Sequence, residues 1–191
     1  MIKNITRILL ILFLLNSSLY SNENKILSIG DENAKITIKV FSSLTCPHCA
    51  HFHNQIFDKL KKEYIDTKKV KFEHHGFPLD MAALNAEKIL RSIKNEEKIF
   101  QFMAEIYIKQ DEWAVGSDIN KINENIKKIG LDFGLNNKIM NDSIKNQKIQ
   151  DQILNERIDA QKKYKITSTP TIYINKKNMR VNMILNHSKK L

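Results

Sequence analysis

The stretch KITIKVF, Lys35 to Phe41, alternates Ile36, Ile38 and Val40 against Lys35, Thr37 and Lys39. Period-2 alternation marks a β-strand. The turn SSLT follows, and Pro47 stands at a natural first helical position, where its missing N–H costs nothing. From Cys49 to about Tyr64, Phe52, Ile56, Phe57 and Leu60 fall on one helical face. Val70 to Phe77 reads as a second strand stopped by Pro78. Helices are expected from Met81, over roughly Glu96 to Lys109, and through much of Ser117 to Lys163. In the last stretch Ile119, Ile122, Ile126 and Ile129 recur at threes and fours, and Gly130 and Gly134 interrupt. A final helix covers about Lys148 to Tyr164, and TIYIN, from Thr171, is a strand. A strand–helix–strand opening with a later hairpin implies an α/β fold, a mixed sheet with helices on it. Residues 80–163 are too many for a simple crossover, so they form an inserted helical subdomain. Residues 22–79 and 164–191 supply the α/β domain, and Asn22 to Asn33 is a polar lead without periodicity.

The first residues are of another kind. Lys3 and Arg7 precede the unbroken apolar run Ile8–Leu15, and small or polar residues follow to Ser21. That order is the signature of a secretory signal peptide over residues 1–21, with cleavage expected after Ser21 and Ser18 the next choice. The run is shorter than the ~20 residues a membrane span needs. The expected location is therefore periplasmic. The formal charge is +10, but the lysines are scattered and no nucleic-acid-binding motif accompanies them. They read as a solvated surface rather than as a binding patch.

Cys46 and Cys49, the only cysteines, lie in SSLTCPHCAHFH. A disulfide closing so small a loop adds little stability, so the pair calls for a chemical role. Cys46 at the amino end of a helix would be stabilised as a thiolate by unpaired N–H groups and the helix dipole. A protonated His48 would add to that effect. Cys49, one turn further in, is expected to be more buried, and would resolve a mixed disulfide rather than start one. A Cys/His metal site is the competing reading, with Cys46, Cys49, His53 and one of His74 or His75 as ligands. Against it, no second ligand knuckle is present, and neither a metal nor a cofactor is expected. His51 reads as a surface residue, His53 as packed beneath the cysteines, and His74 and His75 as ordinary strand residues, one in and one out. In TSTPT, Thr169–Pro170 stands before the last strand, where a residue without an N–H fits best. If that bond were cis, the Thr169 backbone would come against the cysteine loop, free to pair with an extended peptide. Phe77 and Leu79 are expected in the core, and Trp113 in a loop between helices.

The segments LTCPHCAHFH, HGFPLDMAA and AQKKYKITSTPTIYIN, in that order, resemble the DsbA-like branch of the thioredoxin superfamily, exported thiol–disulfide oxidoreductases. The resemblance covers about Ile36 to Asn175. It implies a thioredoxin-like fold with an inserted helical domain, and Cys46 as nucleophile with Cys49 resolving. It implies Pro47 and His48 as tuning residues, and Thr169–Pro170 as a cis, substrate-facing pair. The partners it implies are secreted proteins with free thiols and a quinone-linked membrane protein that restores the disulfide. Family members often carry an acid where this chain has Val40, beside Lys39. The segment after Asn175 ends sooner than the family's closing strand and helix, with Arg180 to Leu185 the candidate strand. An oxidase is the favoured direction, with a reductase or isomerase as the alternative. An isomerase would carry an amino-terminal dimerisation domain, so a monomer is expected.

Overall fold

The central strand of this chain is buried on both faces at one end, and that end carries the cysteines. The structure, a computed structural model, describes residues 26–179. The expected signal peptide and the candidate strand Arg180–Leu185 lie outside the described residues. Strands β1 (Leu27–Gly30), β2 (Ile36–Ser42), β3 (Val70–Gly76), β4 (Thr171–Ile174) and β5 (Lys177–Met179) form one mixed sheet in the order β1-β3-β2-β4-β5. β2 runs parallel to β3, with Val40 opposite His74 and Ser42 opposite Gly76. It runs antiparallel to β4, with Phe41 opposite Thr171. The α/β class read from the alternation is the one observed, a thioredoxin-like fold. β1 corrects the expected polar lead. It is a four-residue edge strand antiparallel to β3, too short to show a period.

Helix α1 (Pro47–Phe52) continues without a break through the π-helical turn His53–Phe57, the α turn Asp58–Leu60 and the π-helical turn Lys61–Ile65. The helices between β3 and β4 are α2 (Met81–Leu90), α3 (Glu96–Ile108), α4 (Gln110–Trp113), α5 (Ile119–Asp132), α6 (Asn137–Lys145) and α7 (Gln147–Tyr164). Local chemistry sets their starts. Asp80, Asn95, Asp118, Asn136 and Asn146 each accept a backbone N–H in the first turn of α2, α3, α5, α6 and α7 respectively. Caps of this kind are worth about 1 kcal/mol each.

Three expectations change here. Trp113 lies on the short helix α4, not in a loop, fully buried, with Nε1 donating to Ile106 O at 2.8 Å. Gly130 does not interrupt α5; it lies within that helix, where Met140 Sδ takes the room a side chain would need. Leu79 is 49% exposed, because the chain turns outward after Pro78 before α2 begins, whereas Phe77 is in the core as expected.

One core runs from β2, β3 and α1 into the helical block, through Phe52, Phe57, Phe72, Phe100, Phe102 and Trp113. A second, small cluster of Phe41, Phe77, Ala160 and Ile166, joined by Tyr164 and Tyr173, lies under the end of α7. α7 thus begins among the helices and ends against the sheet.

Candidate active site

Cys46 is extended, at φ −82° and ψ 119°, and forms the cap of α1, with Pro47 the first helical residue. Its carbonyl accepts the N–H groups of Cys49 and Ala50 at 3.0 and 3.1 Å. Both cysteines are free thiols, Cys46 6% exposed and Cys49 1%. The Thr169–Pro170 bond is cis, and Cys46 Sγ donates to Thr169 O at 3.4 Å. Two segments more than a hundred residues apart therefore meet at one sulfur.

The sulfurs differ sharply. A hydrogen bond from the Cys49 thiol draws Cys46 down from the ordinary 9.0 to about 5, against the opposing pull of burial, with help from Thr169 and the N–H groups of Cys49 and His48. The buried Thr169 hydroxyl is the side-chain group that assists, and it acts on Cys49 as well. Burial, and then the neighbouring Cys46, push Cys49 far above the thiol range. The His48 ring is exposed; it is the residue's backbone N–H that reaches the sulfur.

The loop is held from the helical block, and the sequence carried no sign of this. Gln110, buried on α4, donates from Nε2 to Leu44 O at 2.8 Å and to Cys46 O at 3.3 Å. Thr45 Oγ1 donates to Asp80 Oδ2 at 2.7 Å, while Asp80 Oδ1 caps α2. Ser43 Oγ lies 3.2 Å from Thr45 Oγ1 and accepts the Leu79 N–H at 3.3 Å.

His53 is buried beneath the cysteines as expected. Its ring stacks on Phe57 at 4.3 Å and tilts against Tyr107 at 5.0 Å. Burial, and then the charge on His74, bring it down to about 3, so it is neutral. His51 is exposed. His74 and His75 face opposite sides of the sheet, as strand neighbours must, but each is hydrogen-bonded to a carboxylate rather than being an ordinary strand residue. His74 Nε2 meets Glu87 Oε2 at 3.0 Å, and His75 Nε2 meets Glu73 Oε2 at 3.1 Å. Lys39 joins the second pair, with Nζ 2.8 Å from Glu73, while Val40 is buried. The candidate metal ligands are thus dispersed. Among the described residues, no three His, Cys, Asp or Glu side chains are placed to hold an ion.

A cysteine pair opening a helix at the end of a central strand, faced by a cis-proline at the start of the antiparallel neighbour, defines the thioredoxin-like class. Comparison with known proteins agrees. The family model described as thioredoxin matches residues 21–190, and the chain belongs to that family, in its DsbA-like branch. Its relatives include a Rickettsia bellii protein provisionally named protein-disulfide oxidoreductase, 31% identical over 77% of this chain and 56% of that protein. Disulfide bond formation protein D of Bacillus subtilis is 27% identical over 78% of this chain and 67% of its own length. The crystal structure of Wolbachia pipientis alpha-DsbA1 superposes with a TM-score of 0.78 at 27% identity, covering 87% of this chain and 90% of that one. The chain spans about half the length of the rickettsial relatives it matches.

Proposed function

We propose that this chain is an exported thiol–disulfide oxidoreductase that donates a Cys46–Cys49 disulfide to secreted proteins bearing free thiols. The observation that carries the reading is the divergence of the two thiols, one held at about 5 and the other pushed far upward, with Thr169 O 3.4 Å from the first. At pH 7 a thiol at about 5 is about 99% thiolate, against about 1% at 9.0. Stabilising the thiolate stabilises the reduced protein, which makes its disulfide the stronger oxidant.

A substrate thiolate attacks Cys46 Sγ in the disulfide. The substrate–Cys46 bond forms and the Cys46–Cys49 bond breaks, with Cys49 taking the electron pair and a proton. A second substrate thiolate then attacks the substrate sulfur, and Cys46 leaves as its stable thiolate. The substrate is oxidised by two electrons and the protein reduced by two. The Thr169 backbone is the surface on which an extended substrate segment would lie.

The composition of residues 1–21 supports export to the periplasm. The family resemblance supports action as a monomer, reoxidised by a quinone-linked membrane partner. The deciding experiment is equilibration of the protein with glutathione buffers. A reduction potential near about −120 mV is expected of an oxidase, and one near about −270 mV, the thioredoxin value, would replace this reading with a reductase.

A further inference from the structure

Three chain segments meet at the end of the sheet that carries the cysteines. β3 and β4 flank β2 on opposite sides. β2 runs parallel to β3 and antiparallel to β4, so the turn after β2, the turn after β3 and the start of β4 lie at one end. Cys46 therefore stands between Thr169 on one side and residues 77–81 on the other. The exchange as described so far uses only the first of these.

Residues 77–81 are fastened to the cysteine loop at three points. The Phe77 N–H donates to Ser42 O at 2.8 Å, the Leu79 N–H to Ser43 Oγ at 3.3 Å, and Thr45 Oγ1 to Asp80 Oδ2 at 2.7 Å. The Asp80 carboxylate is thus one residue and one hydrogen bond from Cys46. Asp80 is exposed, although its other oxygen caps α2. Leu79 and Met81, on either side of it, are among the large apolar side chains left exposed.

The charge around the loop is opposite to that of the chain, in which Lys and Arg number 31 against 21 acids. Residues 42–53, 77–83, 110–117 and 166–171, the segments that meet at the cysteines, hold no Lys or Arg. They hold three acids, Asp80, Asp111 and Glu112. Glu112 lines a groove with Lys109 and Lys128, and Asp111 is exposed on α4. Of the three, Asp80 accepts a hydrogen bond from the loop. A carboxylate there attracts a cation and repels an anion. The apolar side chains beside it offer a surface for the methylene stem that a lysine or arginine carries behind its charge.

We propose that Asp80, framed by Leu79 and Met81, is a specificity-determining residue that favours substrate segments with a lysine or arginine close to the reacting thiol. The proposal rests on the thiol–disulfide function above and names the substrate class of that site. Neighbouring strands are ~4.8 Å apart and an extended chain advances ~3.3 Å per residue, so a segment running from Cys46 toward the end of β3 covers the gap in about two residues. At that position the substrate's cation meets the Asp80 carboxylate, and its stem lies on Leu79 and Met81. The charge of the whole chain predicts the reverse, since a formal +10 attracts anionic segments. A preference for cations therefore has to come from the surroundings of the loop.

The test uses the full-length oxidised protein and two single-cysteine peptides, identical but for a lysine or a glutamate two residues from the cysteine. Reduction of the protein by excess peptide is stopped with acid and followed by chromatography. Each rate is divided by that peptide's rate with hydroxyethyl disulfide, which removes the difference in thiol acidity between the peptides. The lysine peptide is expected to react about threefold faster than the glutamate peptide in low salt, the scale of one exposed ion pair. The preference should shrink in high salt and disappear in Asp80→Asn, which keeps a good helix cap. A residue that served only to cap α2 and hold Thr45 would change both rates alike and leave their ratio where it was. Should Asp80→Asn not fold, the salt dependence of the wild type decides. No preference, a preference for glutamate, one that high salt leaves intact, or one that survives in folded Asp80→Asn overturns the proposal. A wild type that neither peptide reduces overturns the thiol–disulfide function itself, a different failure.

Discussion

Replacing Cys46 with serine should make the stability of the reduced protein lose part of its dependence on pH. The sign follows from linkage. In the folded protein Cys46 titrates at about 5, below the 9.0 of an unperturbed thiol. The folded state therefore favours the thiolate, and the stabilisation is fully present above pH 9 and is lost as pH falls through 5. Each tenfold gain in acidity corresponds to ~1.36 kcal/mol, so the fall from 9.0 to about 5 sets a ceiling of ~5 kcal/mol. Cys46 lies at the mouth of the site, where solvent screens its partners, and ~2 kcal/mol is the sounder expectation. Burial raises Cys49 instead, so its own contribution falls only above pH 9 and does not disturb the window. The assay is urea unfolding of the reduced wild type and of Cys46→Ser at a series of pH values. Serine does not ionise there, so the difference between the curves isolates the thiolate. The difference should be smallest near pH 4 and grow steadily to pH 8. Curves that stay parallel across that range would refute the electrostatic account of Cys46.

Two further substitutions probe the surroundings of that sulfur. Thr169→Val removes the buried hydroxyl that assists the Cys46 thiolate. Titration of thiolate absorbance should then find the Cys46 midpoint higher by about one pH unit, the worth of one hydrogen bond to a charged group. Gln110→Ala leaves the Leu44 and Cys46 carbonyls without their buried donor. Unfolding in urea should show a loss of about 1–3 kcal/mol, and an unchanged midpoint would mean that α4 does not hold the loop.

What could be read from the sequence was what is periodic or contiguous. The alternation in Lys35–Phe41, and the run Val70–Phe77 stopped by Pro78, showed the two strands that pair in parallel. The run CPHC showed the sulfurs, and Thr-Pro before TIYIN showed the second wall of the site. Three kinds of feature were hidden. β1 has four residues and pairs through its backbone, which leaves no side-chain signature. Leu79 and Trp113 sit where the chain changes direction, and composition there does not tell which way a side chain turns. His74 looked ordinary because its partner Glu87 lies on a helix whose angle to the sheet no local pattern encodes. Gln110 likewise stands far along the chain from the carbonyls it holds.

The hidden features share an origin. β2 and α1 bring two sulfurs together and present one near the surface, which many sequences of this pattern could do. The helices between β3 and β4 add contacts to that loop and behind it. α4 supplies Gln110 to the loop, α3 supplies Tyr107 behind it, and α2 supplies Glu87, with Arg91 at its carboxyl cap. Removing any of these leaves Cys46 at a helix start, with its backbone donors intact. The asymmetry has a local part, fixed by the strand-to-helix turn, and an imported part, fixed by how the helical block packs. The local part, joined by the Thr169 hydroxyl before β4, accounts for the ionisation of Cys46. Gln110 of that block holds the Leu44 and Cys46 carbonyls, so Gln110→Ala should lower stability more than it moves the midpoint of Cys46.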